Sequence, residues 1–564
     1  MQVFTTNSDR PMNSQTAPAL APQGSRCAGT RRWPLAILTA SLLVGFGTAS
    51  AQSQPAPASA AAATIQVTNV QVEGNTLLPE RVVRETTAPA VGTTTLDALK
   101  AVASALQAQY RRAGYGGVVV YLPQQAVAGG NVVFRVVEGR IARVKVTGQQ
   151  HVSVNNVRAG IPSLREGEVA RVERIDREIQ LSNESPTKEV RITMTAGARP
   201  GEVDAEIQVK DDAPLKLLAG YSNTGDDGTG RHRVSVGLRH SNLLDRDHVG
   251  TLQYQTSPEH PSLVSVLSAG YRVPLYELGM SVDAFAAYSD VSVGTTVTPA
   301  GALDFTGRGT ILGLRGNWSL PRWEGVEQRV TLGIDWRNYK NLCTLGTLGA
   351  AGCGPSGVSV RTLPLSVSYI AQQAIPGGSG GVSAGLYMNA GGSGQATFEA
   401  ARPGAPRRYV IGRTSASGQW ALPEGFGLAA RGEAQFTGDA LISAEKFGLG
   451  GLASVRGYRE RELTGDSGYV VRVEGQGPEW GGEAGRVRPL VFVDHGRVSN
   501  RGDTACRSPA FTATHCALSS LGLGARFAIG THTSGSVDIG RALNEAIATQ
   551  RGDWRAHVAV NFIY

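Results

Sequence analysis

The sequence has no apolar run long enough for a membrane-spanning helix, and it is poor in charged and aromatic residues. Charged side chains make up 18% of the 564 residues and aromatic side chains 6%, whereas glycine occurs 72 times. A spanning helix needs about 20 apolar residues, so the composition argues against a bundle of membrane helices. Because 41% of the residues are hydrophobic, it also argues against a disordered chain. This composition suits strands and loops.

Motifs for common enzymatic chemistry are also missing. The chain has no GxxxxGK[ST] phosphate loop and no HExxH zinc motif, and its nine histidines are scattered singly. Its cysteines form no CxxC pair. The net charge is +8, but basic residues are interspersed with acidic ones, which argues against a nucleic-acid partner. We therefore expect no metal, no cofactor and no enzymatic activity.

Residues 1–51 are predicted to be a secretory signal peptide. Two arginines precede a short apolar run over residues 34–47, and a small-x-small cleavage site follows at residues 49–51. The run is too short to cross a bilayer, so removal is favoured over anchoring. A Pro/Ala linker over residues 52–63 comes next.

The cysteines that remain after removal of the signal are predicted to form two disulfides. They occur as two local pairs of identical spacing, Cys343–Cys353 and Cys506–Cys516. An even count of local pairs in an exported chain indicates a disulfide framework.

Residues 64–211 are predicted to form two small α+β domains in tandem. The first domain, residues 64–139, has the order strand, helix, helix, strand, strand. The second domain, residues 140–211, repeats this order with little sequence identity. Its amphipathic helix is predicted to run through Val169, Val172, Ile175 and Ile179.

From residue 214 to residue 564 helical periodicity disappears and segments of about ten residues alternate apolar with polar. This pattern is typical of a transmembrane β-barrel, although the strands of a soluble sandwich or propeller also alternate. An even strand number is what a bacterial barrel needs. Sixteen candidate strands cover residues 215–222, 231–240, 248–256, 262–273, 278–288, 308–319, 326–337, 358–370, 379–388, 407–420, 426–437, 468–476, 485–495, 518–529, 532–540 and 553–564.

The connections between these strands alternate in length, which gives the barrel an orientation. If the first strand rises from the periplasm, the short connections are periplasmic turns and the long ones are surface loops. Both cysteine pairs fall in long loops. A barrel of sixteen strands is too wide for side chains to fill and encloses an aqueous lumen.

The segment GDSG, residues 465–468, matches the context of a chymotrypsin-like serine nucleophile. TATHC, residues 512–516, looks like the context of the histidine of that class. In that class the histidine precedes the serine in sequence, whereas here it follows. We interpret Ser467 as part of a turn that enters a strand, and keep a surface serine protease as a remote alternative.

The segment VRGY in a long loop has a candidate partner in FVDHG, one strand later. By alternation, Phe492 and Asp494 face the lumen if the flanking valines face lipid. The planar guanidinium of Arg456 is suited to bidentate pairing with a carboxylate. The alternative is an exposed loop arginine without a fixed partner. The candidate residues are Val455, Arg456, Gly457 and Tyr458 in the first motif and Phe492, Asp494 and Gly496 in the second.

These features together resemble the Omp85 superfamily. The two tandem domains are similar to polypeptide-transport-associated (POTRA) repeats, and VRGY falls in the sixth surface loop of the predicted barrel. Two repeats, with NTGDDGTGRHR (residues 223–233) and HSNLLDRDHV (residues 240–249) at the start of the barrel, are most similar to two-partner secretion transporters, the haemolysin and filamentous-haemagglutinin secretion proteins.

The resemblance implies that the chain passes one unfolded exoprotein, haemolysin- or adhesin-like, from the periplasm across the bacterial outer membrane. It implies that Arg456 pairs with Asp494 inside the lumen. The periplasmic domains would capture the exoprotein at a strand edge such as residues 118–122 or 190–195. An Omp85-type factor that inserts other barrel proteins is the alternative.

The resemblance also implies two partners besides the exoprotein. Phe562 and Tyr564 at the end of the last strand resemble the signal read by the barrel-assembly machinery, and the outer face of the barrel would contact outer-membrane lipid. Some family members carry an N-terminal helix that plugs the pore. Residues 52–63 show no amphipathic helix, so we expect no plug of that kind.

Overall fold

The computed structural model describes residues 64–125, 127–290, 294–298, 301–305, 308–340, 357–502 and 513–564. The predicted signal peptide and linker lie outside these residues. The described part contains two small α+β bodies followed by a closed β-barrel. The predicted fold class is therefore confirmed.

The first body is built on a three-stranded sheet of order β2 (Asn69–Glu73), β5 (Asn131–Glu138) and β4 (Val118–Tyr121). In this sheet β5 runs parallel to β2 and antiparallel to β4. Residues such as Leu106, Tyr110 and Phe134 form its buried core. The prediction of a single strand before the first helix was wrong, since the chain forms two strands there, and the strand β3 (Gly92–Thr95) was not predicted. Its elements are β1 (Thr64–Val67), β2 (Asn69–Glu73), α1 (Glu80–Thr87), β3 (Gly92–Thr95), α2 (Leu96–Arg112), β4 (Val118–Tyr121) and β5 (Asn131–Glu138).

The second body repeats this plan with a sheet of order β6 (Arg140–Thr147), β8 (Glu202–Asp211) and β7 (Lys188–Ala196). The predicted helix begins only at Val172, because the backbone of Val169 forms a β-bridge with Arg140. The helix α3 was not predicted. The elements are β6 (Arg140–Thr147), α3 (Val154–Gly160), α4 (Val172–Ser182), β7 (Lys188–Ala196) and β8 (Glu202–Asp211).

The barrel contains sixteen long antiparallel strands, and each predicted strand is present with its ends displaced by a few residues. The long strands are β9 (Leu215–Ser222), β10 (Arg233–Leu243), β11 (His248–Thr256), β12 (Ser265–Leu275), β13 (Met280–Asp290), β16 (Arg308–Trp323), β17 (Val326–Lys340), β18 (Val360–Ile375), β19 (Gly378–Gly392), β20 (Val410–Ala421), β21 (Gly427–Phe436), β24 (Ser467–Gln476), β26 (Gly485–Ser499), β27 (His515–Ile529), β28 (Thr533–Ala542) and β29 (Trp554–Ile563). The short elements between them are β14 (Gly294–Thr298), β15 (Gly301–Phe305), α5 (Gln395–Ala401), β22 (Phe447–Leu449), β23 (Leu463–Gly465) and β25 (Trp480–Gly482).

Alternation along each strand separates an apolar outer face from a polar lumen. In β17, Leu332 and Ile334 are exposed on the outside, whereas Asp335 is buried and faces inward. Asp335 accepts hydrogen bonds from Arg315 of the neighbouring strand, one of them 3.0 Å long. The described residues thus give the barrel the two faces expected of a membrane-spanning one.

None of the helices among the described residues is long and apolar enough to cross a membrane.

The barrel closes where β29 pairs with β9, from Ala559 opposite Ser222 to Ile563 opposite Leu218. Tyr564 extends this seam, because its amide donates to Leu217 at 2.9 Å and its carbonyl accepts from Leu217 at 2.8 Å.

We number the outward connections in chain order. Loop 6, which joins β21 to β24, fills part of the lumen and carries the VRGY motif. Loop 1 comprises residues 223–232, loop 5 residues 393–409, loop 6 residues 437–466, loop 7 residues 500–514 and loop 8 residues 543–553.

Candidate functional site in the barrel lumen

The centre of the site is the ion pair between Arg456 of loop 6 and Asp494 of β26. Both side chains are fully buried. The Nε of Arg456 donates to Oδ2 of Asp494 at 2.7 Å, and Nη2 donates to Oδ1 at 2.7 Å. The backbone amide of Arg456 adds a third hydrogen bond of 3.1 Å. This bidentate geometry fixes both the position and the orientation of the loop tip.

Two further carboxylates complete the environment of Arg456. Its Nη1 donates to Glu474 of β24 at 2.6 Å and to Asp538 of β28 at 3.4 Å. Its Cζ lies 3.5 Å from the centroid of the Phe492 ring, which adds a cation–π contact. Three strands and one aromatic ring therefore hold one guanidinium.

Two other arginines bring the charge of the cluster to balance. Arg526 donates to Asp538 at 2.8 Å and to Glu474 at 2.9 Å. Arg472 lies 3.8 Å from Asp494. The three carboxylates thus face three arginines, which is the arrangement that a buried cluster requires if no charge is to remain uncompensated.

Gly457 allows the loop backbone to touch the barrel wall. Its φ of +90° lies in the region that favours glycine. Its amide donates to Nε2 of His557 at 2.9 Å. A Cβ added to Gly457 would lie 3.0 Å from the carbonyl carbon of Gly540. Both glycines are therefore needed for this contact.

The other two motif residues anchor the loop in apolar surroundings. Val455 and Tyr458 are fully buried in a cluster with Leu449 and Leu518. The Tyr458 hydroxyl accepts from the amide of Asn544 in loop 8 at 3.0 Å.

The second motif provides the inward face of β26. Besides Phe492 and Asp494, Gly496 faces the loop, and a Cβ there would lie 2.3 Å from Cδ1 of Leu449. The small hairpin of β22 and β23 occupies the space that Gly496 leaves. The structure therefore brings together all the residues of the two predicted motifs.

Glu462 and Arg459 hold loop 6 to the neighbouring outward loops. Glu462 accepts hydrogen bonds of 2.7 Å from the amides of Ala548 and Thr549 in loop 8. Arg459 pairs with Asp227 of loop 1 at 2.7 Å. Loop 6 is thus tied to the outer loops on both sides of the seam.

In the GDSG segment the buried charged residue is the aspartate. Asp466 is fully buried and accepts a hydrogen bond of 2.8 Å from Arg402 of loop 5, with a second, shorter one to its other oxygen. The amide of Leu441 donates to it at 2.9 Å and the amide of Arg501 in loop 7 at 2.7 Å. Asp466 therefore clamps loops 5, 6 and 7 together.

The surroundings of Ser467 are those of a residue that supports the fold and not those of a nucleophile. Its Oγ accepts from the amide of Thr437 at 3.1 Å. Ser467 and His515 both pair with Ser499 from opposite sides, so they are separated by two strand spacings, roughly 10 Å. This separation prevents the serine–histidine hydrogen bond that a nucleophile needs.

Lys446 lies beside this clamp at the start of the hairpin. Burial, together with the positive charge of Arg402, lowers the pKa of Lys446 to about 8, and the nearby Asp466 partly offsets this. Lys446 is thus a titratable group within loop 6.

Several residues of the site were not predicted. Glu474 and Asp538 are single carboxylates on the inward positions of β24 and β28, and alternation alone would have placed them in the lumen. The Arg402–Asp466 pair joins positions far apart in sequence, and no local pattern indicates it.

Of the other residues predicted from the sequence, the two C-terminal aromatic residues and one of the four cysteines lie within the described residues. Phe562 and Tyr564 lie on the same face of the last strand with parallel rings, whose centroids are 6.3 Å apart. Cys516 is buried at the start of β27. Cys343, Cys353 and Cys506 lie outside the described residues, so both disulfide pairings stay predictions.

The fold and the site together define a class. A closed barrel with an arginine-bearing loop in its lumen, preceded by POTRA-like bodies, is an outer-membrane protein of the Omp85 superfamily. The sequence profile of the haemolysin secretion/activation protein ShlB/FhaC/HecB family matches residues 201–527, and that of the ShlB-type POTRA domain matches residues 65–139. The chain belongs to the ShlB/FhaC/HecB family.

Two relatives found by sequence are outer membrane transporters. The outer membrane transporter CdiB of Dickeya dadantii (strain 3937) is 24% identical over 404 residues, which cover 69% of this chain and 68% of CdiB. The outer membrane transporter CdiB of Escherichia coli is 23% identical over 491 residues, or 85% of this chain and 79% of CdiB.

Two solved structures have the same fold. CdiB from Escherichia coli superposes with a TM-score of 0.73 at 21% identity, over 91% of this chain and 93% of that one. CdiB from Acinetobacter baumannii gives a TM-score of 0.66 at 15% identity, over 89% and 90%. The prediction of a two-partner secretion transporter in the bacterial outer membrane, with its N-terminal domains in the periplasm, is confirmed.

Proposed function

We propose that this transporter passes one unfolded haemolysin- or adhesin-like exoprotein and that loop 6 must leave its lumen position during passage. The observation that supports this is the burial of Arg456 on Asp494, because the loop occupies space that a translocating chain needs. We expect no nucleotide to be required, since folding of the exoprotein outside the cell prevents its return.

In this proposal the Arg456–Asp494 pair sets the resting position of loop 6. The pair is strong in a dry environment, but its hydrogen bonds are replaced by water once the lumen opens. An extended chain that enters from the periplasm displaces the loop, and the loop returns to the wall when the chain has passed. The clamp at Asp466 keeps the base of the loop in place.

Capture of the exoprotein is assigned to the free edge of β7 in the second POTRA-like body. Both β4 and β7 are edge strands, but β4 has only four residues, and Gln107 already accepts from the amide of Val120 at 3.3 Å. The nine-residue β7 is covered only at its start, where Asn183 accepts from the amide of Val190 at 2.6 Å. Beyond that point an extended chain can add as a further strand.

The partners of biogenesis are part of the same proposal. The exposed aliphatic face of the barrel would contact outer-membrane lipid. The paired rings of Phe562 and Tyr564 would be read by the barrel-assembly machinery.

The test of the transport mechanism is secretion by Arg456→Ala and Asp494→Ala variants in cells that also express the exoprotein. We expect both variants to assemble, as judged by heat-modifiable gel migration, and to release much less exoprotein. Normal secretion by both variants would contradict the proposed role of the pair.

The test of capture uses proline at backbone positions that point to a free edge. Met194 has the same edge orientation as Val190, and Met194→Pro removes an amide without breaking the ladder to β8. We expect Met194→Pro to reduce secretion and Met194→Leu to preserve it. Val118→Pro removes the corresponding amide on the free edge of β4, but Val118 is buried in the core of the first body, so this variant is compared only where it assembles to the wild-type level. It is then expected to secrete normally. The reverse pattern would assign capture to the first body.

A further inference from the structure

The first periplasmic turn of the barrel has an unusual backbone. Leu244, Asp245 and Asp247 have φ values of 58°, 53° and 57°. Positive φ is uncommon for residues other than glycine, asparagine and aspartate, and a cluster of such residues persists only where the surroundings hold it. The turn lies within the segment HSNLLDRDHV at the start of the barrel.

Hydrogen bonds within the turn and from the second POTRA-like body hold this backbone in place. Asn242 accepts from the amide of Asp247 at 2.9 Å and donates to Asp245 at 2.9 Å. Asn156 of α3 donates to the side chain of Asn242 at 3.2 Å and to the carbonyl of Asp245 at 3.0 Å. Ser153, at the N-terminus of α3, also donates to the Asp245 carboxylate.

A buried lysine lies at the centre of this joint. Lys188 is 1% exposed, and its Nζ donates to Asp247 at 2.5 Å and to Asn156 at 3.1 Å. Tyr276 of the second periplasmic turn donates to the same Asp247 oxygen at 2.6 Å. A lysine that is desolvated to this degree stays in place only with its carboxylate partner.

Further ion pairs extend the joint to the third turn. Glu184, which follows α4, accepts from Arg329 of β17 and lies 3.4 Å from Arg272 of β12. Asp176 of α4 accepts from Arg322 of β16 at 3.0 Å. The contacts described here between the second body and the barrel thus fall on three consecutive turns along one side of the periplasmic mouth.

Lys188 is also the first residue of β7, the strand assigned to exoprotein capture. We propose that Lys188 is a positioning residue that holds β7 at a fixed place on the barrel mouth and that the joint stays closed throughout transport. This inference rests on the proposed function of β7. A captured segment is then delivered to the same side of the lumen in every cycle.

The experiment joins the second POTRA-like body covalently to the barrel in the full-length transporter. Ser153 and Asp245 are replaced by cysteine, because their side chains are in contact, and the pair is oxidised in the periplasm or reduced by added reductant. Exoprotein release is measured in both states, with Ser153→Cys alone as the control for the reductant and Asp245→Cys alone as the control for a cysteine at the positive φ of position 245. We expect the oxidised transporter to secrete as well as the reduced one. Blocked secretion in the oxidised state would overturn the inference, since the joint would then have to open.

The second arm tests Lys188 itself. Lys188→Met is expected to assemble but to lose most secretion, and the oxidised cysteine pair is expected to restore it, because the covalent bond replaces the lost contact. Normal secretion by Lys188→Met, or a loss that oxidation does not restore, would contradict the positioning role. Asp247→Asn, which keeps a residue compatible with positive φ, gives the same test if Lys188→Met fails to assemble.

These results are distinguishable from a failure of capture. Met194→Pro lies away from the joint and leaves the yield of the Ser153–Asp245 disulfide unchanged. Normal secretion by Met194→Pro would contradict capture at β7, whereas the disulfide experiments judge the joint independently.

Discussion

Gly540 in the barrel wall and Gly457 in loop 6 approach so closely that a Cβ on Gly540 would lie 2.8 Å from the Gly457 amide nitrogen. This contact places the loop backbone directly against β28. Because both partners are backbone atoms, an added methyl group on Gly540 can be accommodated only if the loop or the strand moves.

Gly540→Ala is expected to displace loop 6 from the wall while the barrel still assembles. Overpacking costs about 1–3 kcal/mol, which raises the population of the displaced loop by roughly 5- to 150-fold. Channel conductance in planar bilayers should therefore increase. Gly432→Ala is the matched control, because its Cβ would lie 3.8 Å from the nearest atom, the carbonyl oxygen of Val470. Equal conductance of both variants would show that the contact does not position the loop.

Arg456→Lys is expected to secrete about tenfold less exoprotein, corresponding to roughly 1.4 kcal/mol, although the charge is retained. Lysine cannot make the two parallel hydrogen bonds to Asp494 and also reach Glu474. The matched control is Arg472→Lys, because Arg472 lies 3.8 Å from both carboxylates and is expected to secrete normally. If Arg456→Lys secretes like the wild type, charge alone is sufficient at this position.

Asp466→Asn and Ser467→Ala should distinguish the two interpretations of the GDSG segment, a structural contact between loops and a serine nucleophile. Asp466→Asn leaves the buried Arg402 without its charge partner, which costs about 3–5 kcal/mol, and loops 5 to 7 should become sensitive to protease. Ser467→Ala removes a hydroxyl that accepts from the Thr437 amide and donates to the Thr437 carbonyl, at about 1 kcal/mol for each hydrogen bond, and should leave secretion intact. Loss of secretion by Ser467→Ala, with loops still protease-resistant, would favour an enzymatic role for the serine.

The packing of loop 6 is expected to become more stable as the pH rises above about 8. In the folded state burial lowers the pKa of Lys446 to about 8, whereas an unfolded lysine has a pKa of about 10.4. Between these values the unfolded chain binds more protons, so the free energy of unfolding increases with pH. Thermal unfolding followed by gel shift at pH 7 and pH 9.5 measures this. Lys446→Met should reduce the difference, and an unchanged difference would rule out Lys446 as its source.

The barrel was predictable because the alternation of apolar and polar residues can be recognised within each strand by itself. Alternation in segments such as residues 328–337 and 518–529 depends only on the two faces of a strand. The contact of Arg456 with Asp494 was accessible from the same alternation together with the family resemblance. Short elements were missed, since β3 has four residues and no apolar period.

The polar contacts between distant segments could not be predicted from one sequence. Lys188 lies in the second POTRA-like body and Asp247 lies in a turn of the barrel, and the sequence near either residue does not indicate its partner. The same holds for Arg402 and Asp466, whose pairing depends on how two loops fold over the barrel. Such partners are set by tertiary geometry, for which periodicity gives no signal.

The charge balance of the lumen depends on whether loop 6 is in place. With the loop inserted, Asp494, Glu474 and Asp538 face Arg456, Arg472 and Arg526 and the cluster is neutral. When Arg456 leaves, three carboxylates face two arginines, and this wall gains one net negative charge. In the proposed open state the wall of the passage would therefore be more negative than in the closed state, and it would favour basic segments of an exoprotein over acidic ones while the loop is displaced.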